Sequence, residues 1–299
     1  MKKNKLSILR KEFRIYNIDG YIIPKNDEFF GEYVNPSNER LKYLTGFSGS
    51  AGQALVLRKK AFLFVDGRYT LQAQKEIKKS FKVVPIHKTK PLEILKKNKQ
   101  KLRIGFDPKL YSDASLTNLF KTKKIKLIPI IKNLIDEIWP DKPKPKFNKF
   151  FILKTQYVGQ DYKQKINLIC NVLKKKRLKN LLITAPENVA WMLNIRGKDN
   201  FFSPIPNCNV IINDKKKIIL IVDNKKISKK FKSQFGKILK YVNQSNIAAY
   251  LNNIDNKENF LIDKITCSFF YKEKIAKRFK YVEEIDPIYY LKSKKIKLK

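Results

Sequence analysis

Residues 45–72 read TGFSGSAGQALVLRKKAFLFVDGRYTLQ, and the order of small, apolar and turn-forming residues in this stretch decides the fold. A glycine-rich loop (Gly46, Gly49, Gly52) leads into an apolar run, Ala54–Leu57. Lys59 and Lys60 then make a turn, and a second apolar run, Ala61–Val65, stops at Asp66-Gly67. Short apolar runs bounded by polar turn residues specify a buried β-hairpin. Gly49, Ser50, Ala51 and Gly52 leave little side chain between the backbone and whatever it faces, so the loop is expected to lie close against another surface. Gly46, Ser48, Gly49, Ser50 and Gly52 are accordingly assigned to a domain interface rather than to ligand binding.

Upstream, Leu6, Leu9 and Phe13 fall at helical spacing and predict an amphipathic helix over about Lys5 to Tyr16. Asp19-Gly20 breaks it, and Tyr21–Ile23 is a short strand stopped by Pro24. A polar loop over Lys25–Ser37 leads to a helix around Asn38–Leu44. Downstream come a helix around Tyr69–Lys78 and strands at Lys82–Pro85, Arg103–Phe106 and Lys126–Ile130, with helices between them. Helix and strand in alternation give an α/β domain.

A proline-rich polar run, PDKPKPKFNK, marks the best boundary in the chain. It yields a first domain over 1–140, a linker over 141–150 and a second domain over 151–299. The second half then repeats the first. A helix (Asp161–Lys176) precedes a strand (Leu181–Thr184), a short helix spans Val189–Gly197, and CNVIINDKKKIILIVDN is a second hairpin. Gly197 follows Gly46 by 151 residues, Asp223 follows Asp66 by 157, and Asp263 follows Asp107 by 156. The closing segments LIPIIKNLIDEIW and YVEEIDPIYYLK echo each other as well. Two copies of one module, each a mixed sheet flanked by helices, account for these offsets better than any single element does.

Composition bounds the function. The formal charge is +40, from 66 basic and 26 acidic residues, but only nine of the 66 are Arg. Base-edge readout and phosphate forks favour Arg, and the lysines here are spread along every polar segment, which argues against specific nucleic-acid recognition. The longest aliphatic run, Ile218–Val222, is far too short to span a bilayer, and no signal peptide is read at the amino terminus. Cys170, Cys208 and Cys267 lack CxxC spacing and read as small hydrophobes of a reducing cytoplasm.

The catalytic motifs are missing. GFSGS is not GxSxG, no GxxxxGK[ST] occurs, and the glycines of Gly46–Gly52 do not fit GxGxxG. His87, the single histidine, follows a strand beside Lys88 and reads as a surface imidazole. No His and Cys residues have zinc-ligand spacing. Asp27, Glu28 and Glu32 are candidates to line a pocket, with an exposed polar loop the simpler reading, and Trp139 and Trp191 read as core anchors rather than ligand contacts.

EYVNPSNERLKYLTGFSGSAGQALVL and FLFVDGRYTLQAQ, followed in order by IGFDP, IWPDKPKP, VAWMLNIRG and DPIYYLK, resemble the amino-terminal part of cytosolic Xaa-Pro aminopeptidases (aminopeptidase P). The resemblance covers essentially the whole chain, and the pair GFxGSAG and DGRYxxQA is specific. It implies two creatinase/prolidase-type N-terminal domains in tandem. In such enzymes a third, "pita-bread" domain follows, which holds two divalent metals, usually manganese, through two Asp, one His and two Glu, and removes an N-terminal residue preceding proline. That domain is expected to be absent from this chain, which would make the chain inactive alone and without cofactor. Its Phe29-Phe30-Gly31 also stands where the family usually has a histidine before the Glu32-Tyr33 pair.

The resemblance further implies that the two domains cover the catalytic cleft, limit access to short peptides with proline second, and contribute to oligomer contacts, the catalytic domain lying in cis or in trans. Arg68, directly after the Asp66-Gly67 turn, is the expected cleft-facing residue, because a guanidinium offers a fork of donors to a peptide carboxylate or carbonyl. A simple Asp66–Arg68 pair that sets the turn is the competing reading. Arg196 carries the same expectation at the matching position of the second module. The alternatives are a stand-alone peptide- or protein-binding module and a basic nucleic-acid adaptor. Tyr289, Tyr290 and Leu291, on a helix over Pro287–Lys292, are expected to be partly exposed and to favour self-association.

Overall fold

The structure, a computed structural model describing residues 4–120 and 122–294, opens with α1 (Lys5–Ile15). The Asn4 side chain accepts from the Leu6 N–H at its start, and the helix buries Leu6, Leu9 and Phe13. The chain then forms β1 (Gly20–Pro24), α2 (Arg40–Thr45), β2 (Gly52–Leu57), β3 (Ala61–Val65) and α3 (Thr70–Glu76). It continues through β4 (Lys82–Pro85), α4 (Pro91–Lys96), β5 (Leu102–Phe106), α5 (Asp113–Phe120), β6 (Ile125–Pro129) and α6 (Leu134–Glu137). These strands make one sheet in the order β4-β3-β2-β1-β5-β6. β2 runs antiparallel to both its neighbours, and every other pairing is parallel.

The chain divides into two units, Met1–Pro145 and Lys146–Lys299, the division falling in the proline-rich run. The second unit contains β7 (Phe151–Ile152), α7 (Thr155–Val158), α8 (Tyr162–Lys175), β8 (Asn180–Ile183), α9 (Pro186–Leu193) and β9 (Ile195–Arg196). β10 (Asn209–Asn213), β11 (Ile218–Ile221), α10 (Lys229–Phe235), β12 (Leu239–Val242) and α11 (Ile247–Asn252) follow, then β13 (Asn259–Asp263), α12 (Phe269–Ala276), β14 (Lys280–Glu284) and α13 (Pro287–Ser293). Its sheet order, β12-β11-β10-β8-β13-β14, has the same topology as the first, strand for strand. Both units are thus α/β, each a mixed sheet flanked by helices.

Helices on both faces explain why the strands read as unbroken apolar runs. Successive side chains of a strand point to opposite faces. Leu181 and Ile183 of β8 accordingly join a core with α8, α9 and α13, while Leu182 joins another with α11 and α12. In the first unit, Tyr21, Ile23, Ala54, Val56, Leu63 and Val65 pack under α1, α2 and α6. Cys170, Cys208 and Cys267 are buried and unpaired by disulfide. Among the described residues no helix is long and apolar enough to cross a membrane.

Two local expectations need correction. The helix read over Val189–Gly197 begins earlier, with Pro186 in its first turn, and ends at Leu193 because Asn194 turns left-handed at φ 54°. Ile195–Arg196 is therefore a strand, paired antiparallel with Phe151–Ile152. The segment Asp27–Glu28 is not an exposed loop: Asp27 is only 2% exposed.

Candidate functional site

In the first unit β1, β3, β4, β5 and β6 all run one way and β2 runs against them. One edge of the sheet therefore collects five carboxyl ends, the start of β2 and the loops that follow. Open α/β sheets bind ligands at this edge. It carries the 45–52 loop, the 66–69 turn, His87 and the charged residues of the 25–39 loop.

The glycine-rich loop folds back on its own unit. Gly46 ends α2 at φ 91°, and a Cβ there would meet the Glu76 carbonyl oxygen at 2.8 Å. A Cβ on Gly49 would lie 2.3 Å from the Phe47 ring and 2.9 Å from that of Tyr69. The small residues thus make room for Phe47, which is fully buried and meets Tyr69 edge to face. Ser48 donates through its N–H and its hydroxyl to the Glu76 carboxylate, both at 2.7 Å, and Ser50 Oγ lies 2.8 Å from the Tyr69 hydroxyl.

Arg68 stands beside this loop in a 3-10 turn over Gly67–Tyr69. Its N–H and its Nε both donate to Asp66 Oδ1, at 3.0 and 2.9 Å, and its side chain is 75% exposed. The backbone N–H and then the guanidinium of Arg68 hold the Asp66 carboxyl below its usual range. The turn-setting pair is therefore present. It uses one edge of the guanidinium and leaves the rest toward solvent. His87 is exposed and packs against the same turn, its Cε1 3.5 Å from where a Gly67 Cβ would sit.

Behind this rim lies a buried charge network. Arg40, 4% exposed, reaches Asp136 through Nε at 2.9 Å and Nη2 at 3.0 Å, and Glu28 through Nη2 at 2.7 Å. Lys142 adds a second cation to Asp136 at 2.9 Å, and Lys25 pairs with Glu39. Burial opposes ionisation of Asp136, but Arg40 and Lys142 outweigh it and lower its pKa. Burial pushes Asp27 and Asp107 each up to about 6, their hydrogen bonds and Arg40 only partly offsetting it. Asp27 Oδ1 accepts from the Phe29 and Gly31 N–H groups, and Asp107 from the Lys109 N–H and the Asn133 side chain. Asn133 in turn caps α6 by accepting from Ile135.

The second unit repeats that latch. Asp263 accepts from Ile265 and Thr266 on one oxygen and from the Asp286 N–H on the other, and Asp286 caps α13 by accepting from Ile288. Asn188 of α9 donates to the other Asp286 oxygen at 2.7 Å, and burial raises Asp286 to about 6.

Arg196 does not hold the position that matches Arg68. Asp66–Arg68 follows β3, and its counterpart after β11 is Asp223–Lys225, where Asp223 accepts from the Lys225 N–H at 2.8 Å. Arg196 lies ahead of β10, half-buried, with Nη1 donating to the carbonyls of Ala190 and Ile195 at 3.1 and 2.9 Å. It closes the end of α9, where Lys165, 2% exposed, also donates to the Trp191 carbonyl at 3.0 Å. Burial, then the neighbouring Arg196, bring Lys165 down to about 8.

Two family models, both described as creatinase/prolidase N-terminal domain, match residues 5–138 and 141–298. The chain is 29% identical over 275 residues to a probable Xaa-Pro aminopeptidase P of Coprinopsis cinerea, covering 87% of this chain and 43% of that protein. It is 33% identical over 228 residues to the corresponding protein of Laccaria bicolor, covering 74% and 35%. The chain thus spans less than half the length of these curated relatives. Its fold is similar to about half of an X-prolyl aminopeptidase from Caenorhabditis elegans, described as a cytosolic enzyme with a di-nuclear active site, at a TM-score of 0.89 and 24% identity over 98% of this chain and 51% of that one.

Proposed function

Because both halves of the chain belong to the creatinase/prolidase N-terminal domain family, we propose that it is the non-catalytic amino-terminal portion of a metal-dependent Xaa-Pro aminopeptidase. In this reading the two units cover the cleft of a catalytic domain supplied in cis or in trans, admit short peptides with proline second, take part in oligomer contacts and work in the cytoplasm. The observation that carries it is the alignment with Xaa-Pro aminopeptidases, which takes in 87% of this chain.

Among the described residues no three His, Cys, Asp or Glu side chains converge to hold a metal ion. The residues present therefore do not fit a dinuclear centre, and no hydrolytic step is assigned to them. What this chain offers a peptide is Arg68, whose guanidinium remains largely exposed beyond its pair with Asp66.

With an Xaa-Pro peptide and manganese, the chain alone is expected to release no N-terminal residue; release would overturn the reading. In complex with a catalytic chain of the family, Arg68→Ala is expected to raise KM for short peptides several-fold, about 1 kcal/mol of lost contact. Unchanged kinetics would remove Arg68 from the cleft.

A further inference from the structure

A groove of about 970 Å³ lies between the first unit's sheet and the α4 region, running from the ends where the parallel strands begin to the residues that follow β4. Its floor is apolar, with Phe62, Val84 and Ile94. Six cationic side chains surround it: Arg58, Lys59, Lys60, Lys82, Lys88 and Lys97. Among the described residues one carboxylate lines it, Asp19, which is already paired with Arg58 at 3.1 Å.

The repeat supplies an internal comparison. The offset of 156 residues that relates Asp263 to Asp107 places Leu251 on Leu95, both buried, and Tyr250 on Ile94. Asn213 pairs with the first residue of β8 as Leu57 pairs with the first residue of β1. The groove bounded by these counterparts in the second unit encloses about 270 Å³. Tyr250 packs there against the core, and the charged lining is Lys217, Asp255 and Glu258. One fold in one lysine-rich chain thus yields a large cationic groove in the first unit and a smaller, mostly acidic one in the second. Neither the topology nor the overall lysine content accounts for that difference.

We propose that the first unit's groove binds an extended acidic peptide segment carrying apolar side chains. The cations match carboxylates in sign, and the floor matches the apolar side chains between them. A nucleic acid fits less well. Single strands are held by stacking on exposed aromatic rings, and the aromatic residue of this floor, Phe62, is 8% exposed. The groove's arginine is engaged by Asp19, which leaves lysines without a free guanidinium fork. The proposal does not depend on the aminopeptidase reading.

The test uses the full chain and a fluorescently labelled peptide of alternating Glu and Leu, with fluorescence anisotropy as the readout. A triple variant, Lys60→Glu, Lys82→Glu and Lys97→Glu, is compared with Lys174→Glu, Lys175→Glu and Lys229→Glu, which makes the same change of net charge on the second unit. Groove reversal is expected to weaken binding by about tenfold or more and the control by less than about twofold. Ile94→Tyr, which introduces the second unit's counterpart residue and leaves the charge unchanged, is expected to weaken binding similarly. Equal losses in both triple variants would overturn the proposal, as would full binding by a folded Ile94→Tyr protein. Tighter binding of an oligothymidylate with the same sensitivity to the groove variants would overturn it in favour of a nucleic acid.

Discussion

Arg40 joins Glu28, twelve residues before it, to Asp136, ninety-six residues after it, from a site that is 4% exposed. Removing this buried cation leaves Glu28 without its ion-pair partner and Asp136 with Lys142 alone, both carboxylates partly buried, so Arg40→Ala is expected to cost about 3 kcal/mol in urea unfolding. A loss below about 1 kcal/mol would show the network to be solvated in practice. Asp27, Asp107 and Asp286 have the opposite electrostatic sense. Each is raised to about 6, burial being the largest cause. A carboxyl that binds its proton more tightly when folded stabilises the fold fully below its unfolded pKa of about 3.9 and loses that contribution as pH rises through 6. The urea midpoint is therefore expected to fall between pH 5 and pH 7.5. Asp27→Asn, which keeps an accepting oxygen for Phe29 and Gly31, is expected to flatten that slope, and an unchanged slope would assign it elsewhere. None of these partners was legible in sequence. Network members so far apart along the chain leave no local spacing to read, and the 25–37 stretch looks polar because its charges are satisfied by residues the fold brings in later.

At the scale of the element, the 45–72 hairpin was legible and the surface its loop approaches was not. Buried strands announce themselves as apolar runs because both faces of the sheet are covered, and both strands formed where the runs stood. The small residues signalled close approach, but only the fold shows that the approaching groups are the unit's own Phe47 and Tyr69. Gly49→Ala forces a methyl group into that ring pair and is expected to cost about 1–3 kcal/mol. Gly67→Ala, whose Cβ would meet His87 at 3.5 Å in ordinary contact, is expected to stay within about 0.5 kcal/mol. Equal costs in urea unfolding would mean that the loop relaxes freely around Phe47. The α9 terminus shows the reverse case. A helix over Val189–Gly197 was plausible by periodicity, yet one left-handed residue, Asn194, converts its last turn into a strand. Arg196 fails to match Arg68 for a separate reason, since the equivalent turn follows β11 at Asp223–Lys225. Asn tolerates that conformation without requiring it, so the stop signal was weaker than a glycine would have been.

For the whole molecule, the repeat survives in topology and in the Asp107–Asn133 and Asp263–Asp286 latches, while the charge is distributed without regard to it. The offsets between halves revealed the repeat because equivalent turns must recur when equivalent strands do. A net charge of +40 on 299 residues is a self-repulsion that folding concentrates into a smaller volume. Salt screens exposed charges over about 10 Å at 0.1 M and screens buried pairs far less. Surface pairs such as Lys176–Glu284 and Lys179–Asp214 are weakened by salt, but each contributes at most about 1 kcal/mol. Buried pairs, Arg40–Glu28 and Lys226–Asp199 among them, persist. Relief of repulsion among the excess lysines should therefore outweigh loss of the surface pairs, and Tm is expected to rise as sodium chloride increases from about 20 mM to about 300 mM. Arg40→Ala should keep that salt slope while lowering Tm throughout, because it removes a pair that salt does not reach. A Tm that falls with salt would mean that the surface pairs, few as they are beside the lysines, dominate the electrostatics of the folded chain.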